Sequence, residues 1–389
     1  IGFFFRIILA QSLKQFTVYN DLLTFQAWGN ILTENGLRNF YSGWSDYLPG
    51  YIYILGGLSV LHKFLVGHSI TIPIEIFYKL PSMMTDMGNA IFIYLIVKKF
   101  NHQRIAFFTA IIYYLNPVFW ANSTLWGQAD SFLTFFLLSS FYYLLSGRYW
   151  LSAFLIGLGQ IVKPIAILSI PIYLLFILSQ KKSFKIIIIY LTIFIGVVIT
   201  LFIPFNNSDN ILKFIIERHS ITASQYPYTS VNAFNFWSIV TRLWTPDNSM
   251  HWGVTLHTWG YILFGLLYLV LLLMIIKNRM IGNLSVLVSF TLMLCYFGMF
   301  ILLTRMHERH LFYGLSYLSL LLPIMPVYGI ILAIALFLVH LVNLYYPYSQ
   351  ATPNPLILSQ NVIIFLSVIS VFAFIYFLAL FLSKYAKIK

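Results

Sequence analysis

IAFFTAIIYYLNPVFWANSTLWGQADSFLTFFLLSSFYYLLS, residues 105–146, decides what kind of chain this is. Two apolar runs flank a polar break, NPVFWANSTLWGQADSF at 116–132, which holds two asparagines, a glutamine, an aspartate, two tryptophans and a proline. Apolar runs back to back, with polarity confined to the turn, predict two helices crossing a bilayer and meeting at one face, with NSTLWGQAD as the turn.

The rest of the chain repeats the pattern. Its 389 residues are 60% hydrophobic, 19% aromatic and 8% charged, whereas a soluble domain carries about a quarter charged residues. With a mean hydropathy of +0.86, the expected fold class is all-α and polytopic in a membrane. About 12 transmembrane helices are expected, plus juxtamembrane helices on the outer surface. The net charge of +13 would suggest nucleic acid for a soluble chain. Here it reads as loop charge, and no nucleic-acid partner is expected. The one cysteine, Cys295, lies in an apolar run, which leaves neither a disulfide nor a thiolate metal site. The chain starts at Ile1 inside an apolar run, so its first helix is expected to begin upstream.

Five basic clusters set the topology: KKFNHQR at 98–104, GR at 147–148, QKKSFK at 180–185, KNR at 277–279 and KYAKIK at 384–389, with 12 of the 23 Lys and Arg. Placing all five in the cytoplasm requires an even number of crossings between each pair. Two helices then fit in 105–146, two in 149–179 with a turn near Lys163-Pro164, and one out and one back around an outer loop at 205–256. Segment 47–65 holds Pro49, Gly50, Gly56, Gly57, His62 and Lys63, and the charge pattern makes it a helix on the outer surface. A real crossing with a weaker charge rule is the alternative. The expected organisation is a single membrane domain, 1–389. It comprises a module at 1–204 with a first outer loop at 17–74, the outer loop 205–256, and C-terminal helices at 257–389.

In this topology Asp21, Glu34, Asp46, Lys79, Asp130, Lys163, Arg305, His307, Glu308, Arg309 and His310 gather near outer helix ends. A charge near the bilayer centre costs about 2.5–3.5 kcal/mol, so several at one level call for a water-accessible cavity. Leu22, Phe25, Gln26, Gly29 and Leu32 follow helical spacing, making 21–35 an amphipathic helix with Asp21 at its start, where a carboxylate also suits a helix cap. Asp46 also fits a plain turn before Tyr-Leu-Pro-Gly. Lys79 and Asp86 share a helical face but stand about 10.5 Å apart along it, so each needs another partner, from a neighbouring helix or a ligand. In TRMHERHLF, Arg305 and Arg309 at i,i+4 are read as sharing a face, and arginine suits bidentate phosphate binding. No Gly-rich phosphate loop and no tight Asp-x-Asp appear, so no metal ligands are assigned and a divalent metal has only weak support.

Six short stretches, in order, resemble membrane glycosyltransferases of the GT-C superfamily: NDLLTFQAWGNILTENGLRNFYSGWSDYLPGYIYIL, KLPSMMTDMGNAIFIYL, LNPVFWANSTLWGQADS, KPIAILSIPI, SVNAFNFW and RMHERHLFY. The branch they most resemble is the bacterial proteins related to GPI-anchor mannosyltransferases. The resemblance covers roughly residues 20–315. It implies a GT-C-like fold and transfer of a hexose, with mannose expected, from a polyprenyl-phosphate-linked donor to an acceptor hydroxyl with inversion. A lipid-linked or polymer glycan is the implied acceptor and membrane lipid the setting, on the outer face of a bacterial plasma membrane. The family's catalytic carboxylate maps onto Asp21, as general base. Arg305, His307, Arg309 and Lys163 become candidates for the donor phosphate. Trp126, Gln128 and Asp130 become candidates for the sugar, and Asp46, Lys79 and Asp86 complete the substrate-binding set. A polytopic lipid or glycan transporter or flippase, and a non-catalytic assembly subunit with this fold, remain the other readings. The first would place its charges nearer the midplane, with repeats or broken helices.

Overall fold

The computed structural model describes residues 2–280, 283–350 and 355–386. Ile1 and residues 387–389 of the last basic cluster lie outside them. The fold is all-α, because each backbone polar group of an apolar segment must find its partner inside that segment. The described strands are two-residue pairings: Ser230–Val231 runs parallel to Met306–His307, and Met250–His251 antiparallel to Val254–Thr255.

The chain is a multi-pass membrane protein. Among the described residues, seven helices are long and apolar enough to cross, or eight if Gln103–Leu115 and Pro117–Trp126, bent by 44°, form one span. The expected count of about 12 is not reached. The segments read as full crossings at 130–179 form helices of 11–16 residues, Asp130–Leu145, Tyr149–Val162 and Ser169–Ser179. At 1.5 Å per residue, even sixteen residues rise only about 24 Å, against about 30 Å of hydrocarbon. Pro49–Gly67 is one continuous helix despite its glycines and counts among the seven. Its expected place on the outer surface rests on the charge pattern alone.

The described residues form two compact units. The first comprises residues up to Phe92, Trp120–Ile167 and Phe184–Gln225. In it the Tyr19–Asn39 helix buries Leu22, Phe25, Gly29 and Leu32 along the expected face and packs against Pro49–Gly67. The two backbones approach closely at Gly29, where an added Cβ would stand 2.6 Å from the Leu55 carbonyl oxygen. Gly29→Ala is therefore expected to cost about 1–3 kcal/mol by overpacking, seen as a lower thermal midpoint in detergent. An unchanged midpoint would mean that the helix pair opens freely. Pro49–Gly67 also packs on Tyr149–Val162, which in turn packs on Asp130–Leu145 and Phe184–Phe202.

The second unit comprises Ile93–Phe119, Leu168–Ser183 and residues from Tyr226 onward. Its centre is Leu284–Leu302, 94% buried, against which Leu256–Lys277, Leu311–Leu321 and Gln360–Tyr385 pack. The Asn235 side chain caps the short Phe236–Val240 helix and donates to Phe300 O at 3.0 Å. The Trp237 indole donates to Leu302 O at 2.9 Å. These bonds tie the 230–240 segment to the end of the central helix and set the 230–231/306–307 pairing.

Candidate active site

In the first unit the polar break is a folded element. Ala121–Trp126 forms a π-helical turn, a conformation often found at functional sites. It ends at Gly127 with φ +84°, a left-handed conformation that glycine adopts without a Cβ penalty. The space requires glycine as well, since a Cβ there would lie 2.8 Å from Lys79 Cγ and 3.2 Å from Leu22 Cδ2. The Gly127 and Gln128 amides donate to Asn122 O at 3.0 and 3.1 Å, and Asp130 then opens the Asp130–Leu145 helix.

Three carboxylates converge on this stretch. Asp21, half-buried in the first turn of Tyr19–Asn39, accepts at Oδ2 from Trp126 Nε1 at 2.7 Å and Gln128 Nε2 at 2.5 Å. That helix has no side-chain hydrogen bond at its N-cap, Val18. Among the described residues Asp21 Oδ1 accepts no hydrogen bond. Gln128 is itself held: Tyr47 donates to Oε1 at 3.3 Å and Ser82 to its carbonyl at 2.7 Å. Asp130 is fully buried, with Lys163 Nζ 2.5 Å from Oδ1 and Asn122 Nδ2 3.1 Å from Oδ2. Asp86, also fully buried, meets Arg6 at 3.2 Å, accepts from Ser131 at 2.5 Å and accepts from Ser123. Lys79 donates to Thr17 at 2.8 Å. Lys79 and Asp86 thus each have a partner other than one another.

Asp46 sits half-buried in the connection between Phe40–Ser42 and Pro49–Gly67. Its neighbours fix that connection. Arg218 donates to Ser45 O at 3.0 Å and lies 4.2 Å from the centre of the Tyr41 ring, and Trp28 donates to Trp44 O at 3.1 Å. Burial pushes the Tyr41 phenol well above its usual value, against the opposing pull of the Arg218 charge. The phenol therefore stays neutral at any working pH and serves Arg218 through its ring face.

Arg305, His307 and Arg309 belong to the second unit. Arg305 has φ +65°, and its amide donates to Tyr228 O at 2.8 Å. Its Nε donates to Asp247 at 2.7 Å, while His257 Nδ1 lies 3.3 Å from the same oxygen. Arg309 pairs with buried Glu308 at 3.2 Å. His307 packs edge-on against Tyr226, with ring centres 4.6 Å apart. The shared helical face expected for Arg305 and Arg309 is corrected. The helix ends at Leu302, Met306–His307 runs as a strand and Glu308–His310 is a 3-10 turn, so i,i+4 spacing has no meaning there.

Several partners were not singled out from the sequence. Arg6 carried a readable signal, a lone arginine in an apolar run. Asp247 lies in a polar loop among ordinary turn residues and carried none. Asn122, Ser123 and Ser131 lay inside the quoted break without being distinguished from it. Among the described residues no group of three or more His, Cys, Asp or Glu is placed to hold a metal ion.

The family model described as glycosyltransferase family 87 matches residues 82–304, more than half of the chain. The matched region contains Asp86, the 120–132 stretch, Lys163 and Asp247, and it stops one residue before Arg305. No curated protein matches the chain.

Proposed function

The chain belongs to glycosyltransferase family 87, a family of GT-C-type membrane glycosyltransferases, and from that premise we propose that it moves a hexose from a polyprenyl-phosphate-linked donor to an acceptor hydroxyl, inverting the anomeric carbon. The observation that carries this reading is the Asp21 carboxylate. Two side-chain donors hold its Oδ2, and its Oδ1 faces no hydrogen-bond donor among the described residues. A base needs that arrangement, one oxygen fixed and one open to a proton.

In the proposed step the acceptor hydroxyl gives its proton to Asp21 Oδ1 as its oxygen attacks the anomeric carbon. The bond from that carbon to the phosphate oxygen breaks, and the lipid phosphate leaves with the electron pair. Phosphate is a good leaving group and needs no general acid, but its developing charge needs cations. Lys163 is the cation proposed from the unit that holds Asp21, and the role proposed for Arg305, His307 and Arg309, which belong to the second unit, rests on the motif resemblance alone. Half-buried Asp46 is proposed to offer a carboxylate to the sugar, and Trp126, itself buried with its indole N–H on Asp21, the edge of its ring. The other buried groups, Lys79, Asp86, Gln128 and Asp130, act by holding the rest in place.

Mannose as the hexose, a lipid-linked or polymer glycan as acceptor, and the outer face of a bacterial plasma membrane follow from the GPI-mannosyltransferase-like motifs and the cytoplasmic placement of the basic clusters. The test supplies purified protein with short-chain polyprenyl-phosphate mannose, the glucose analogue, GDP-mannose and UDP-glucose, with extracted membrane lipids as acceptors. Labelled mannose should move from the lipid donor with its configuration inverted. Transfer from a nucleotide sugar, or retention of configuration, would overturn the reading.

A further inference from the structure

The geometry points to a second lipid site in this chain: an anionic glycerophospholipid binds the second unit, its phosphate at Arg104 and Lys98 and one acyl chain along the groove between Gln103–Leu115 and Val327–Ser349. The inference does not depend on the transfer reaction proposed above.

Two cavities meet at Phe108. One, about 660 Å³, is walled by Phe108, Ile112 and Leu115 on one helix and by Ile334, Phe337 and Leu338 on the other. Its polar side chains are two and both bond the backbone: Thr109 donates to Ile105 O at 2.8 Å, and the Asn116 side-chain oxygen accepts from the Val118 amide at 3.0 Å. A groove walled almost entirely by apolar side chains rejects a sugar and accepts a hydrocarbon chain. From Ile105 to Leu115 the helix rises about 15 Å, the depth of one leaflet of a bilayer with about 30 Å of hydrocarbon.

The other cavity, about 440 Å³, is lined by Tyr94, Gln103, Arg104, Phe107 and Phe108. Lys98 stands over the Tyr94 ring at 5.6 Å, and Lys98 and Arg104 are both exposed. The charge here has no counterpart in its own unit. The only acidic residues of that unit are Asp247 and Glu308, and they pair with Arg305 and Arg309. An exposed basic mouth on an apolar groove one leaflet deep is complementary to a phosphodiester with an acyl chain, and basic pockets between membrane helices select such headgroups.

The test is native mass spectrometry of the full chain in detergent, titrated with phosphatidylglycerol or with phosphatidylcholine of the same acyl chains. The wild type should retain phosphatidylglycerol at least tenfold better. Each lost charge should cut that preference about fivefold, so Arg104→Gln keeps part of it and Lys98→Gln/Arg104→Gln abolishes it. Ile112→Trp, which fills the groove without touching charge, should lower retention of both lipids. Equal retention by the wild type, or a preference untouched in the double variant, overturns the site. Displacement of phosphatidylglycerol by an equal concentration of polyprenyl phosphate also overturns it, because the groove would then hold the donor's lipid carrier. All three substituted residues are exposed, so folding is checked by an unchanged thermal midpoint.

Discussion

Asp21→Asn is expected to lower hexose transfer by about 10²–10⁴-fold, the usual contribution of a positioned general base. The amide keeps the shape of the carboxylate, and its oxygen still accepts from Trp126 or Gln128, so the helix start and the 120–132 stretch should stay in place. What it loses is the ability to take a proton at the open oxygen. The loss should therefore fall on kcat, with KM for the lipid donor little changed and the thermal midpoint close to wild type. Turnover within a few-fold of wild type would return Asp21 to a structural role at the start of its helix and move the base to another carboxylate. Trp126→Phe and Gln128→Met leave the carboxylate in place but unfix it. They should give smaller losses than Asp21→Asn, since they disturb the base's position and not its chemistry.

The second large effect is on stability. Arg6 and Asp86 are both fully buried and 3.2 Å apart, and the helix carrying Asp86 is one of those able to cross the bilayer. Arg6→Met should cost about 3–5 kcal/mol, because it strands a buried charge and not because the pair itself is worth that much. The double variant Arg6→Met/Asp86→Leu should recover much of this loss. Recovery stays incomplete, because Ser123 and Ser131 lose their acceptor. Thermal unfolding in detergent reads both effects. A single variant as stable as wild type, or a double variant no better than the single, would show that the pair does not carry the charge balance of this unit.

Run length and period made much of the fold readable. The buried face of Tyr19–Asn39 follows the spacing of Leu22, Phe25, Gly29 and Leu32, and Lys163-Pro164 marks a turn between helices as expected. The count of about 12 crossings is not confirmed, because several of the apolar runs form helices of 10–17 residues, shorter than the about 20 a crossing takes. At the candidate site, residue types were legible and pairings were not. Trp126 and Gln128 reach Asp21 across 105 and 107 positions, and no periodicity spans that distance. The arginines near 305 were misread for a different reason. A helical period was applied where Arg305 adopts a left-handed backbone that leaves the helix, and nothing in an Arg-Met-His sequence announces that conformation.

The stretch from Trp120 to Ser131 answers to three carboxylates at once. Trp126 and Gln128 serve Asp21, Asn122 serves Asp130, and Ser123 and Ser131 serve Asp86. Its length is therefore as constrained as its composition. One residue added or removed here would turn each donor to a new bearing, and no single substitution could restore all three contacts. The π turn, which closes over five residues where an α turn closes over four, is already the form in which a helix absorbs an extra residue. Within these twelve positions the chain has no slack in register to give.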